Sequence, residues 1–241
     1  RYLEQTINSV INQTYKNIEY IIIDGGSTDG TLEILNKYEN NICYSISEPD
    51  NGLYDAMNKG IAKANGDLIG MINSDDWYEV DAVEIMVQAY ESNLEKTIFH
   101  ADRYDISENG NRKIRQFNPS IFKFKYYGMT YNHPSMFITK SEYNKHRYNI
   151  HLVSLSDYEF VLEAYLSDKT TFYYLEKPIV NYRLDGISAQ ISALQSIRQG
   201  MIVTKKVGYN LPERLLSLTV RSIMLLLYKS FLKFRNKIQV T

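Results

Sequence analysis

Two short apolar runs that stop at carboxylates constrain this chain more than any other feature. Tyr20-Ile21-Ile22-Ile23 ends at Asp24, with Gly25-Gly26 behind it, and Leu68-Ile69-Gly70-Met71-Ile72 runs directly into Asn73-Ser74-Asp75-Asp76. Runs that are apolar at every position, rather than every other one, predict strands buried on both faces. The Gly and Asp residues that follow predict loops at their ends. Around them the periodicity is helical over Arg1–Gln13 (Leu3, Ile7, Val10 and Ile11 on one face), Thr31–Tyr38, Tyr54–Ala64 and Ala82–Asn93, with further strands at Ile42–Ser47 and Thr97–His100. Asp29 or Ser27 is placed to cap the second helix, and Asn65-Gly66 to end the third in a left-handed turn. Strand alternating with helix predicts an α/β fold, a mainly parallel sheet with helices on both faces. Right-handed crossovers bring successive strand ends to one edge, where ligands bind. Asp24, Asp75 and Asp76 are therefore expected to converge in one cleft.

The 241 residues, 44% of them apolar, are enough for a substantial core and exclude a disordered chain. With 27 Lys+Arg against 28 Asp+Glu, the net charge of -1 gives no bulk attraction for nucleic acid, so any anionic ligand must be held locally. The single cysteine, Cys43, has no partner for an internal disulfide; its apolar neighbours predict a buried thiol in a reducing compartment. Past Asp102 the pattern loosens into an Asn109-Gly110 hairpin turn, a helix over Asp157–Leu166, and short strands at Thr171–Tyr174 and Ile179–Arg183. We read 1–188 as one domain and 189–241 as a helical tail. Within that tail Leu211–Val240 is rich in Leu and carries Arg214, Arg221, Lys229, Lys233, Arg235 and Lys237, a basic amphipathic helix suited to a membrane surface, to packing on the domain or to self-association. No stretch reaches the roughly 18–20 apolar residues that span a bilayer.

Adjacent carboxylates at a buried strand end repel each other unless a cation or hydrogen-bond donors offset the repulsion. Hard cations such as Mg2+ or Mn2+ take oxygen ligands and bridge one or two carboxylates to substrate phosphates, so Asp75-Asp76 fits a metal-diphosphate site. The competing explanation is a helix N-terminus before Trp77–Val87, whose dipole favours acidic residues.

Three segments together narrow this choice. Ile21–Thr31 reads IIIDGGSTDGT, Glu48–Gly60 reads EPDNGLYDAMNKG, and Asn73–Tyr78 reads NSDDWY. They resemble the inverting family 2 glycosyltransferases of the GT-A (Rossmann-like) fold, of the type that builds bacterial surface polysaccharides. The resemblance runs from Arg1 to about Gln190 and is most specific up to Tyr78. It implies that Asp24 reads the base of the sugar-nucleotide donor, that Asp75 holds its ribose, and that Asp76 coordinates the metal. By the same resemblance Asp50, Asn58 and Gly60 shape the donor site, and Asp157, in Ser156-Asp157-Tyr158-Glu159, is the catalytic base, with Glu159 in reserve. His133 in Asn132–Ser135, and Arg183 in Arg183–Ser188, fall where relatives line the acceptor side or close over the diphosphate; Arg183 would face the donor's leaving group. Tyr126, Tyr127 and Tyr131 lie just ahead of Asn132 and are candidates to stack on a sugar.

The implied partners are a nucleoside-diphosphate sugar, UDP-linked, and a glycan or lipid-linked glycan acceptor, with no nucleic acid. The implied setting is the cytoplasm, at the inner face of the cell membrane. Gly25 and Asn73 stand where relatives often carry Asp. Relatives also begin with a strand and a Pro-containing loop that would precede Arg1, so the chain is expected to have a gap in its sheet and to bind donor poorly by itself. Two other activities fit parts of the pattern. A sugar nucleotidyltransferase would need a Gly-rich, Arg-containing loop after its first strand, and a non-catalytic sugar-binding protein of the same fold would not need its carboxylates.

Overall fold

The computed structural model describes residues 2–184 and 192–238, with side chains as far as residue 227. In the first half α1 (Leu3–Ile11), β1 (Ile21–Asp24), α2 (Thr31–Lys37), β2 (Tyr44–Ser47), α3 (Leu53–Lys63), β3 (Leu68–Gly70), β4 (Trp77–Tyr78) and α4 (Ala82–Glu91) follow the expected alternation. The second half adds β5 (Ile98–Ile106), β6 (Arg112–Arg115), α5 (Ile121–Tyr126), β7 (Phe137–Thr139), α6 (Lys140–Lys145), α7 (Ser156–Ser167), β8 (Phe172–Arg183), α8 (Ala193–Lys206) and α9 (Leu211–Ile238).

The strands form two sheets. β1 and β2 pair in parallel, and a six-stranded sheet runs β3-β7-β5-β8-β4 with β6 on β5. The two are not hydrogen-bonded to each other among the described residues. The larger sheet is mixed rather than mainly parallel. Only β5 and β8 run together in it, while β3-β7, β5-β7, β4-β8 and β5-β6 are antiparallel. The cause is local at β6: a tight turn through Gly110, φ +76°, returns the chain directly, and only antiparallel strands can be joined that way.

Burial follows the periodicity. Ile7 and Val10 of α1 are sealed in, as are Ile98, Phe99 and Ala101 of β5 and Ile179 and Val180 of β8. The two strand segments expected around Pro178 are one long β8. The break is absorbed by a register shift against β5 between Ala101 and Asp102, which lets a residue without an N–H sit in the ladder.

Two local expectations fail. Gly66 is not left-handed; the end of α3 is closed instead by the Glu19 carboxylate, which accepts from the Asn65 and Gly66 amides at 2.6 and 3.3 Å. Cys43 is exposed rather than buried, because it sits just ahead of β2, a strand whose residues alternate between partly covered and exposed. At the start of α2 it is Asp29, not Ser27, that accepts from Thr31, at 3.3 Å from the amide and 2.8 Å from the hydroxyl.

The tail is not detached. Lys206 of α8 pairs with Glu159 of α7 at 2.8 Å, and Ser217 of α9 donates to the Tyr126 carbonyl at 2.9 Å. The boundary read at 188 lies outside the described residues, as do Asp185–Ser188 and Val240.

Candidate active site

β1 delivers Asp24 to the edge of its sheet, and the loop behind it folds back onto the carboxylate. The Gly26 and Ser27 amides donate to it at 3.1 and 2.9 Å, and the Ser27 and Ser47 hydroxyls each at 2.5 Å. Desolvation is the largest single influence and pushes its pKa up, but the four donors together outweigh it and hold the group below its ordinary value. Asp24 is thus ionised and ties β1, its loop and β2 together.

The 48–60 segment closes over that loop. Asp50 accepts from the Gly52 amide at 2.8 Å, and its carboxylate fills the space a side chain at Gly25 would need, 2.5 Å from where a Cβ would stand. A side chain at position 25 would require the Asp50 carboxylate to move. Gly52, at φ +103°, makes the turn into α3 that a residue with a Cβ would strain. Lys59 pins α3 to the same segment through Glu48 at 2.8 Å. Asn58 is committed elsewhere: its amide donates to the Tyr148 carbonyl at 2.8 Å and its carbonyl accepts from the Tyr148 amide at 3.1 Å. Asn58 therefore acts as a clamp between α3 and the segment ahead of α7, not as a group with atoms to spare for a donor.

After β3 the chain turns through Asn73–Asp76 into β4, which pairs with the end of β8. That pairing brings Arg183 against the acidic pair. Its amide donates to Asp76 Oδ1 at 2.9 Å, and its guanidinium donates to the Asp75 carbonyl at 2.9 Å and to Gln5 at 2.7 Å while lying 3.6 Å over the Tyr2 ring and 4.6 Å over Trp77. Arg183 fastens the acidic loop to the start of α1. Asp76 is 1% exposed, and Asn73 donates to its other oxygen at 3.3 Å. Burial, with a smaller push from the Asp75 charge, raises its pKa from 3.8 to about 7 against the lowering effect of the Arg183 amide, Asn73 and Arg103. Burial thus disfavours the ionised form of this carboxyl, and a nearby cation would favour it. No third His, Cys, Asp or Glu completes a metal cluster among the described residues. Two carboxylates nevertheless suit Mg2+ or Mn2+, which take their remaining ligands from phosphate and water.

The third grouping lies at the start of α7. Tyr54, in the first turn of α3, donates its hydroxyl to Asp157 Oδ1 at 3.0 Å. Burial, then the Asp157 charge, hold that phenol far above its usual pKa, so it remains a donor. Tyr54 stacks on Tyr148 with centroids 5.7 Å apart, and the Tyr148 hydroxyl lies 2.9 Å from His133 Nε2. Burial lowers the His133 pKa, and the nearby Asp157 charge offsets this only in part, so the ring is neutral at physiological pH. Glu159 is withdrawn from the site: it is 1% exposed, paired with Lys206, and accepts from Asn149 at 3.2 Å. Tyr131 is likewise taken into an aromatic cluster with His100, Phe117 and Phe124, and Tyr126 packs on Tyr209.

Tyr54 and Tyr148 are the residues that sequence reasoning passed over. With 21 tyrosines in the chain, neither stood out. The available signal was position, since Tyr54 lies inside the EPDNGLYDAMNKG segment two residues after Gly52.

A two-sheet α/β body with carboxylates at strand ends and an Asp at the head of a later helix defines a GT-A glycosyltransferase fold. Residues 1–148 match the profile described as "Glycosyl transferase family 2", and the chain belongs to that family. It is 29% identical to a chondroitin synthase of Pasteurella multocida (strain Pm70) over 213 residues, 87% of this chain and 22% of the synthase. The chain spans about a fifth of the length of the first curated relatives it matches, 22% and 20%. Among solved structures it is similar to S. aureus TarS in complex with UDP-GlcNAc (TM-score 0.69, 18% identity, 88% of this chain and 64% of that one). It also matches the mannosyltransferase PcManGT of Pyrobaculum calidifontis in complex with GDP-Man and Mn2+ (TM-score 0.58, 13% identity, 92% and 65%).

Proposed function

We propose that this chain is the catalytic domain of an inverting transferase that moves a sugar from a UDP-sugar to a hydroxyl of a glycan or lipid-linked glycan, in cytoplasmic synthesis of surface polysaccharide. The observation that carries this reading is the Tyr54–Asp157 hydrogen bond at 3.0 Å. It joins the helix that grows out of the Asp50 loop to a carboxylate more than a hundred residues away, and leaves that carboxylate only part-covered. Two relatives lend support by the molecules in their names, a UDP-GlcNAc complex and a chondroitin synthase.

In this mechanism Asp157 accepts the proton of the acceptor hydroxyl as its oxygen attacks the sugar carbon in line. The bond from that carbon to the diphosphate oxygen breaks, and the sugar inverts. Tyr54 fixes the carboxylate's orientation, and neutral His133 adds no competing proton. Asp24 and Asp50 build the wall of the nucleotide pocket, and Asp75 meets the ribose. Asp76, with Asp75 beside it, would hold a divalent cation, which when bound offsets charge on the leaving diphosphate. Arg183 keeps that acidic loop in register.

The test is a donor screen with Mn2+ present, read by mass spectrometry as transfer to an oligosaccharide and release of UDP. Transfer lost in Asp157→Asn and in the presence of a chelator is expected. Binding of no common nucleotide sugar by the intact protein would overturn the reading, and release of pyrophosphate from a sugar phosphate and a nucleoside triphosphate would replace it.

A further inference from the structure

α9 turns an apolar face to solvent. Leu211, Leu215, Leu216, Ile223, Leu226 and Leu227 are 40–65% exposed, and the other exposed positions up to residue 227 are Pro212 and Thr219. At 3.6 residues per turn these eight positions fall within an arc of about 160° that holds no charge. The opposite face mixes the two buried polar residues of the helix with the partly covered Leu218, Val220, Met224 and Leu225. Ser217 is fully covered and Arg221 is 3% exposed. Soluble helices present the reverse arrangement.

The orientation is fixed by specific contacts. Arg221 Nε donates to Ser217 at 3.2 Å, and its guanidinium lies 5.3 Å over the Tyr158 ring. It also lies against Gly200 of α8, where a Cβ would come within 2.5 Å of it. Rolling the helix to hide its leucines would expel this arginine from its slot and break the Ser217 bond to Tyr126. The exposed apolar face is therefore imposed by the fold, and an apolar face of this size requires a partner.

The charge distribution indicates which one. From Arg214 to Thr241 the sequence has six Lys or Arg and no Asp or Glu, which leaves 21 Lys or Arg against 28 Asp or Glu in the rest of the chain. Lys229, Lys233 and Lys237 recur at every fourth position just beyond the leucines. Two copies of α9 laid face to face would bring like charges together. An anionic surface would meet Lys229, Lys233 and Lys237, which follow the exposed leucines in sequence, favourably. No described helix is long and apolar enough to cross a membrane.

We propose that the exposed face of α9 docks on an anionic lipid bilayer, lying in the plane of its interface with Leu211, Leu215, Ile223, Leu226 and Leu227 inserted and the following lysines on the headgroups. The docking is independent of the transferase reading, since it invokes no residue of that site.

Flotation of the full chain with vesicles tests it. The chain should rise with phosphatidylcholine vesicles that contain phosphatidylglycerol, and about tenfold less with phosphatidylcholine alone or in about 1 M salt, where the Debye length falls to ~3 Å. Replacing Leu215→Ser, Ile223→Ser and Leu226→Ser together, all on the exposed face, should cut flotation by about tenfold or more with circular dichroism and melting temperature unchanged. Lys229→Gln with Lys233→Gln and Lys237→Gln should remove the preference for the anionic lipid. The proposal is overturned if the chain stays unbound with anionic vesicles, or if the triple Ser variant floats as well as the parent. A dimer by light scattering that the triple Ser variant dissociates, without flotation of either protein, assigns the face to a second copy instead.

Discussion

The ends of β1 and β3 present the same chemistry, a buried carboxylate at the edge of a sheet, with opposite outcomes. Asp24 is 8% exposed and takes four donors from its own loop and from Ser47; Asp76 is 1% exposed and takes two. The first is held below its ordinary pKa and the second is pushed up to about 7. Burial of a charge costs the fold unless partners offset it. At β1 the protein supplies those partners, and the carboxylate acts as a fastener. At β3 the compensation is incomplete, and the carboxyl keeps its proton to a higher pH. Asp157, with Tyr54 as its named donor, stands closer to Asp76 than to Asp24 in how few donors it takes.

Four substitutions sharpen or break that contrast. The largest effect is expected at Asp157→Asn, which should lower the transfer rate by about 10²- to 10⁴-fold with the fold intact, as for loss of a general base. A variant that keeps the parental rate would return Asp157 to a helix-capping role. Next, Asp76→Asn should stabilise the chain in the absence of divalent metal. The Asp76 carboxyl titrates near 7 folded and 3.8 unfolded, so the folded chain holds the extra proton between those values. Stability from this group is full below the lower value and falls as pH rises toward the upper, by up to about 4 kcal/mol. Thermal melts across that range should show the decline in the parent and a flatter profile in Asp76→Asn, and Mn2+ should raise the parent's melting temperature most above pH 7.

Asp24→Asn should act in the opposite direction, destabilising by about 1–3 kcal/mol in urea at neutral pH, because a nitrogen in place of Oδ2 cannot accept from the Gly26 and Ser27 amides and the neutral group loses its charge-assisted bonds. Equal and same-signed effects at positions 24 and 76 would end the distinction drawn here. The smallest effect belongs to Tyr54→Phe, which removes one hydrogen bond, about 1 kcal/mol, from Asp157. It should lower kcat by roughly five- to tenfold and leave KM for the donor unchanged; a loss confined to stability would make Tyr54 merely a packing residue.

Much of the first half of the molecule was legible because its signals are dense. Apolar runs ending in Asp located β1, β3 and their loops, and helical spacing located α1, α3 and α4. What stayed hidden depends on long-range partners. β4 is two residues long and exists because Val180 and Asn181 lie alongside it. Pro178 reads as a break, yet β8 carries it within one strand at a register shift. Cys43 has apolar neighbours but an edge position, and local composition does not record which face of β2 is covered. At the site, the residue types of Asp24, Asp76 and Asp157 were apparent from their segments, while the commitments of Asn58 to Tyr148 and of Glu159 to Lys206 were not. Each of those joins elements that only the folded chain brings together.

The bond from the Arg183 amide to Asp76 spans 107 residues. At a ribosomal rate of about 5–20 residues per second, the acidic loop leaves the tunnel on the order of 5–20 s before the strand that covers it exists. For that interval Asp76 is an ordinary solvated acid with an ordinary affinity for protons. Its altered chemistry is therefore conferred late in biosynthesis, when β8 arrives, and a nascent chain stalled ahead of Arg183 should carry the acidic pair without its elevated pKa.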